Sequence, residues 1–458
     1  MLTKYRSLWI GLLGAIAALL VLTPTALAFC GFYVAKADTS LYNEASQVII
    51  ARNGDRTVLT MANDYQGEVA DFAMVVPVPT VLQEGQVNVG DPASVQRLDD
   101  FSAPRLVEYF DPDPCEPMMM FDEAEALPSP TRSAAPPGPT VDGALGVTIE
   151  AQFAVGEYDI VILSAEESDG LETWLIQNGY QIPTGASELL QPYVRQGLKF
   201  FVAKVNLEEF DRTGFQQLRP LQIAYESPRF MLPIRLGMMN AQGTQDLVAY
   251  LLTPDGQVEL TNYRTVKIPS NANIPSFVEE EFGEFYGAMF DRSYERENKE
   301  VAFLEYAWSM AGCDPCSADP LSPEELRQAG VFWLAPNSSI WDTNVYVTRL
   351  HVRYSRDKFP EDLMFQQTNN LEFFQGRYVM QQPFLGEATC PAGADYRRSL
   401  PARFEQEAQT LARLTGWDIN DIRRRLPDVR EANFDPNPWW EDLWQRSSQL
   451  LSPVVGQG

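Results

Sequence analysis

The alternation of apolar and polar positions along the chain gives the first structural frame. In "SQVIIARNGDRTVLTMANDY" (46–65) two β-rich runs flank Asn53-Gly54, a pair suited to a tight type I′ turn, so a hairpin is predicted. "DFAMVVPVP" (71–79) predicts a third strand, ended by Pro77 and Pro79 or placed by them on a sheet edge, because proline cannot donate to a ladder. Residues 29–110 therefore read as an antiparallel β unit, a sheet or a sandwich.

Residues 111–140 carry proline, alanine and acids without a usable period and read as a flexible surface loop. From 141 to 390 the pattern is mixed. "EYDIVILS" (157–164) reads as a buried strand. "SDGLETWLIQNGY" (168–180) reads as a helix with Leu171, Trp174 and Leu175 on one face, and "SELLQPYVRQG" as another despite Pro192. Strands are expected at 198–207, 218–226, 230–237, 246–253 and 257–268, a helical stretch over 275–310, and further strands at 344–355 and 376–384. Residues 391–458 read as helical, with Pro401 opening a helix that stops at Gly416, Asp418 capping the next, and a terminal helix rich in tryptophan. No repeated strand–helix–strand order appears, so the fold class expected is α+β.

The N-terminus adds a compartment. Lys4 and Arg6 precede an uncharged apolar run from Leu8 to Leu22, followed by Ala26-Leu27-Ala28. These are the three parts of a secretory signal peptide over 1–28, with cleavage expected between Ala28 and Phe29. The run is shorter than the ~20 residues that span a bilayer, and an uncleaved anchor is the alternative. Phe29 disfavours lipid attachment at Cys30, since that processing needs a small residue before the cysteine. An exported protein, periplasmic or extracellular, is expected, touching the membrane only through this segment if it is kept.

Net charge is −27, and loss of Lys4 and Arg6 would make it more negative. Nucleic acid is not an expected partner, because that binding needs a surplus of Lys and Arg. The expected partner is an envelope or extracellular molecule of unspecified kind. Catalytic chemistry has few candidates. His351 is the single histidine, set in "VTRLHVRYS" among alternating Val and Leu, and reads as a paired strand residue. No G-x-S-x-G elbow, Gly-rich phosphate loop or calcium loop is present. No catalytic, cofactor or metal residue is assigned.

"AFCGFYVAKAD", "ADFAMVVPVP", "GEYDIVILSAEESDGLETWLIQNGYQIP", "PYVRQGLKFFVAKVNL" and "VTRLHVRYSRDKFPEDLMF" together resemble a bacterial family of exported proteins catalogued as a domain of unknown function (number twenty-three-thirty). The resemblance covers most of residues 29–370. It implies export and a globular fold, and brings no activity, cofactor or catalytic residue.

Five cysteines remain: Cys30, Cys115, Cys313, Cys316 and Cys390. Export makes disulfides the default. Cys313 and Cys316 flank Asp314-Pro315, in a stretch read as a loop between two helices and so without the helix N-terminus of a thioredoxin-type centre. Either these two bond to each other or one of them bonds to Cys390; five cysteines allow at most two bridges, so one thiol is left over or pairs between chains. The functional expectation is a non-catalytic binding or structural protein of the envelope. The alternatives are a thiol–disulfide oxidoreductase using Cys313 and Cys316, and a carboxylate-based envelope hydrolase.

Overall fold

The computed structural model describes residues 32–36, 45–62, 72–116, 147–177, 180–181, 186–213, 218–239, 243–312, 314, 319–339 and 343–427. Two large sheets dominate. The first runs β7 (Val147–Val155), β8 (Tyr158–Ala165), β10 (Lys199–Val205), β4 (Phe72–Val78), β1 (Phe32–Lys36) and β9 (Tyr180–Gln181), with antiparallel pairing throughout. The second runs β15 (Arg264–Lys267), β17 (Val301–Ser309), β18 (Tyr346–Tyr354), β13 (Gln245–Thr253), β2 (Ala45–Asn53), β3 (Arg56–Met61), β11 (Leu221–Glu226) and β5 (Val87–Val89), with β20 (Phe374–Gln375) beside β17. Two small sheets complete it. They are β12 (Met231–Leu232) with β19 (Leu363–Gln367) and β14 (Val258–Leu260), and β16 (Ala272–Asn273) with β21 (Arg377–Gln382) and β6 (Arg105–Phe110).

Period-2 patterning decides which face of each strand is covered. On β2, Val48 and Ile50 point between the large sheets, where they meet Met74 and Val76 of β4 and Phe201 of β10. Ile49 and Ala51 point the other way, onto Val95, Leu98 and Phe101 of α1 (Pro92–Ser102). On the first sheet, Val75, Phe200 and Val202 face outward under Leu171 and Leu175 of α2 (Ser168–Gln177) and Leu190 and Tyr193 of α3 (Ala186–Arg195). The result is a sheet-on-sheet sandwich with helices on both outer faces, an α+β fold as the patterning predicts. α4 (Leu207–Thr213) follows β10. α5 (Phe282–Arg296), α7 (Pro391–Thr415) and α8 (Ile419–Arg425) close the molecule over β17 and β21 through Phe290, Leu411, Ile422, Phe303 and Tyr378, and α6 (Pro323–Gln328) packs by Leu326 near α1.

Several expectations are corrected. Residues 29–110 do not build a sheet of their own. β4 lies between β1 and β10, and β2 pairs in parallel with β13, so this segment and 141–390 share both large sheets. β4 is not an edge strand. Pro77 pairs with Phe200 of β10, β1 on the other side reaches only Phe72–Val75, and the strand ends at Val78, just before Pro79. The hairpin turn falls one residue later than expected: Asn53 pairs with Arg56, and Gly54 occupies the first turn position with φ +59°.

The helical stretch expected over 275–310 ends at Arg296. Asn298 and Lys299 take φ of 58° and 64°, and Val301–Ser309 is a strand. The run VAFLEYAWS carries three aromatic residues and is buried on both faces, so it shows no period to distinguish helix from strand. α7 begins at Pro391, not at Pro401, which sits inside the helix; Cys390 caps it, with Gly393 N–H donating to its Sγ. The signal peptide and its cleavage point, the 117–140 part of the loop and the tryptophan-rich terminal segment lie outside the described residues.

Candidate functional site

Two clusters of charged groups stand out. The first is built on β18. Leu350, Val352 and Tyr354 enter the sandwich core, so Arg349, His351 and Arg353 share the opposite face. Each cation meets carboxylates from neighbouring elements. Arg349 Nε donates to Glu305 Oε2 at 2.6 Å and its Nη1 to Asp99 Oδ1 at 2.7 Å. Arg353 Nε donates to Asp246 Oδ1 at 2.8 Å and its Nη1 to Asp291. His351 Nδ1 lies 2.8 Å from Glu305 Oε1 and Nε2 lies 3.1 Å from Asp246 Oδ1. Glu305 sits where β17 and β18 shift register between Leu304 and Tyr306, and this bulge aims its carboxylate into the cluster. Tyr286 donates to it as well, and the ring of Phe290 stacks on His351 with centroids 4.1 Å apart.

Electrostatics follow from these contacts. Burial opposes the imidazolium, yet Glu305 and Asp246 outweigh it and raise the His351 pKa to about 9. Burial likewise opposes the Glu305 carboxylate, and His351 and Arg349 reverse that and lower it to about 2. Asp246 falls to about 2 through His351 and Arg353 in spite of its burial. Every member has its partners, so the cluster cross-braces β13, β17, β18, α1 and α5. The expectation of a strand histidine held by a neighbour is met, with two carboxylates instead of one.

The second cluster opens onto a pocket of ≈ 370 Å³ between residues Pro269–Asn273 and one face of α7. Its wall from α7 comprises Arg403, Gln406, Glu407, Thr410, Arg413 and Leu414, at helical intervals of three and four. Glu407 is 4% exposed, and its Oε1 has no hydrogen-bond partner among the described residues. Arg403 Nε is 3.5 Å from that oxygen, beyond good hydrogen-bond length. Burial raises the Glu407 pKa to about 7; Arg403 lowers it and Asp111 adds to the rise. Arg403 is drawn away by Asp111, to which its Nη1 donates at 2.6 Å. Tyr396 Oη and Gln381 Nε2 also donate to Asp111, and these bonds hold its carboxyl below the usual range against the cost of burial.

The disulfide Cys115–Cys390, with Cα atoms 5.9 Å apart, fastens the segment after β6 to the start of α7. It corrects the pairing expected of Cys390, whose partner is Cys115 and neither Cys313 nor Cys316. Cys30, Cys313 and Cys316 lie outside the described residues, as do Ala28 and Phe29. Asp314 is described and buried, accepting from Tyr306 Oη at 3.1 Å and Gln375 Nε2 at 3.0 Å. Among the described residues no helix is long and apolar enough to cross a membrane, and no group of three or more His, Cys, Asp or Glu is placed to hold a metal ion.

Sequence reasoning missed Arg403, Glu407 and Asp111. The available signal was an acid at position 407 flanking the apolar stripe Phe404, Ala408 and Leu411, with an arginine one turn earlier. No curated protein and no solved structure matches the chain. Residues 24–366 match the model of the family described as "Uncharacterized protein conserved in bacteria (DUF2330)", and the chain belongs to that family, with α7 and its side of the pocket beyond the matched residues.

Proposed function

We propose that the chain is exported to the cell envelope and acts there by binding a small molecule in the pocket beside α7. The observation that carries the export reading is the Cys115–Cys390 disulfide, since such bonds persist in oxidising compartments and are rare in the cytosol. It agrees with the signal-peptide pattern of residues 1–28. The binding reading is supported by the way the charges are spent. The Arg349–Glu305–His351–Asp246–Arg353 chain saturates its own groups, whereas the pocket keeps a buried carboxyl oxygen of Glu407 with no partner among the described residues. Subcellular fractionation, N-terminal sequencing and non-reducing peptide mapping test this together. A mature start at Phe29 with Cys115 bonded to Cys390 is expected; a cytosolic chain with both thiols free would refute it.

A second reading, a carboxylate-based hydrolase, has one observation in its favour. Glu407 is raised to about 7 while Asp111 is lowered, the split that separates a general acid from an ionised partner. Binding is preferred because Asp111 is committed to three donors and does not line the pocket. Turnover of an envelope glycan, abolished by Glu407→Gln, would reverse that preference.

A further inference from the structure

The pocket beside α7 is lined by two arginines, Arg403 and Arg413, and one acid, Glu407. Arg413 lines it, and among the described residues its guanidinium hydrogen-bonds to Thr410 Oγ1, at 3.5 Å. The Arg413 carbonyl accepts from Arg292 Nε and Arg296 Nη2, each at 3.0 Å. None of these three arginines has an ion-pair partner among the described residues, in a chain of net charge −27. Asn273 and Gln406 line the same space. Glu407, buried and unsatisfied, supplies an acid group to the pocket wall.

We propose that this pocket binds a small ligand carrying a carboxylate next to hydroxyl or amide groups, the carboxylate held by Arg413 and by a proton on Glu407, and the neighbouring groups by Asn273 and Gln406. This rests on the binding reading above. A second carboxylate can approach Glu407 only when that group is neutral and donates. Arg403 on α7 and Asp111 on the segment after β6 bear on its protonation, and Arg413 is the other charged group lining the pocket. With Glu407 titrating at about 7, binding takes up a proton above that pH. A volume of ≈ 370 Å³ lies at the small end of ligand sites, the size of one sugar acid or one peptide C-terminus. Those two sources share the recognised chemistry.

Calorimetric titration of the full, oxidised chain separates them, using D-glucuronate and N-acetyl-alanine, with D-glucose and N-acetyl-alanine amide as neutral controls. One of the two acids should bind and its neutral control should not. The dissociation constant should weaken roughly tenfold between about pH 6 and about pH 8, as Glu407 gives up its proton. Arg413→Ala removes an exposed side chain and should weaken binding by about tenfold or more. Glu407→Gln keeps a donor and should bind with no pH dependence across that range. Absence of binding by both acids, equal binding of a neutral control, or an undiminished Arg413→Ala would overturn the proposal. Such a failure leaves the export reading standing, since fractionation and disulfide state report on that separately.

Discussion

His351 Nδ1 lies 2.8 Å from Glu305 Oε1, and its Nε2 lies 3.1 Å from Asp246 Oδ1. A ring nitrogen meets a carboxylate oxygen at such distances as a donor, so two carboxylates demand two N–H groups and hence the imidazolium. Glu305 is 1% exposed and also serves Arg349 and Tyr286. Removing its charge leaves two buried cations under-compensated. Glu305→Gln should therefore cost about 3–5 kcal/mol in urea denaturation. The double variant Glu305→Gln/His351→Gln should cost less than the two single changes added together, because part of the single penalty is a stranded charge. Strict additivity would show that the two side chains are not coupled.

Stability should vary with pH in separable steps. His351 is raised in the fold, so its contribution is complete below its unfolded value of about 6.5 and is lost as pH rises through about 9. Glu305 and Asp246 are lowered, so theirs is complete above about 4.5 and is lost as pH falls through about 2. Glu407 acts in the opposite sense: a raised acid costs nothing below about 4.5 and costs progressively more up to about 7. The melting temperature should peak near pH 5 and decline in two stages. Glu407→Gln should remove the stage between about pH 5 and 7, a gain of up to about 3 kcal/mol at pH 8, and leave the later stage intact. A variant whose whole profile overlays the parent would contradict the assignment to Glu407.

Local signals in the sequence mapped well onto local structure. Leu171 and Leu175 bury one side of α2, Gly416 closes α7 with φ +81°, and Asp418 caps α8 by accepting from Asn420 and Asp421 N–H. The alternation around His351 placed it correctly on a strand. What escaped was long-range. The parallel pairing of β2 with β13 joins residues some two hundred positions apart and has no turn signature. Spacing is equally silent on the Cys115–Cys390 bond. β17 hid because burial on both faces erases the period that tells a strand from a helix. The pocket hid because its carboxyl group differs from other surface acids only by what packs over it.

Gly256 turns β13 back into β14 with φ +119°, and a Cβ there would lie 2.7 Å from Asn370 O and 2.8 Å from Thr368 O. Both oxygens belong to backbone that is pinned: Gln257 N donates to Asn370 O at 2.9 Å, and Thr368 N donates to Gln257 O at 2.9 Å. Gly256→Ala combines a strained backbone with a clash that cannot relax, so a loss above about 2 kcal/mol is expected. Gly54→Ala is the control, with φ +59° but nothing within 4 Å of the added carbon, and should cost only about 1 kcal/mol. Equal costs at the two sites in thermal denaturation would remove the steric part of this account.

Reduction of Cys115–Cys390 should loosen the molecule at one end first. The bond spans 275 residues of sequence, so it restrains a long loop of the unfolded chain, and its loss should cost about 2–5 kcal/mol. It also holds residues 111–116 against the N-terminus of α7, where Tyr396 and Arg403 bind Asp111. The sandwich core between the large sheets does not depend on that contact, since none of its residues lies on α7. Hydrogen exchange after reduction should therefore speed up over residues 391–403 while β2, β4 and β13 stay protected. Cys115→Ser/Cys390→Ser should reproduce the same pattern without reductant. With Asp111 less firmly placed, Arg403 is freed to approach Glu407, so the Glu407 titration should move down from about 7 towards the ordinary carboxylate range. Unchanged exchange over 391–403 in both the reduced protein and the double variant would mean that side-chain packing alone fixes α7, and the clamp would have no structural role.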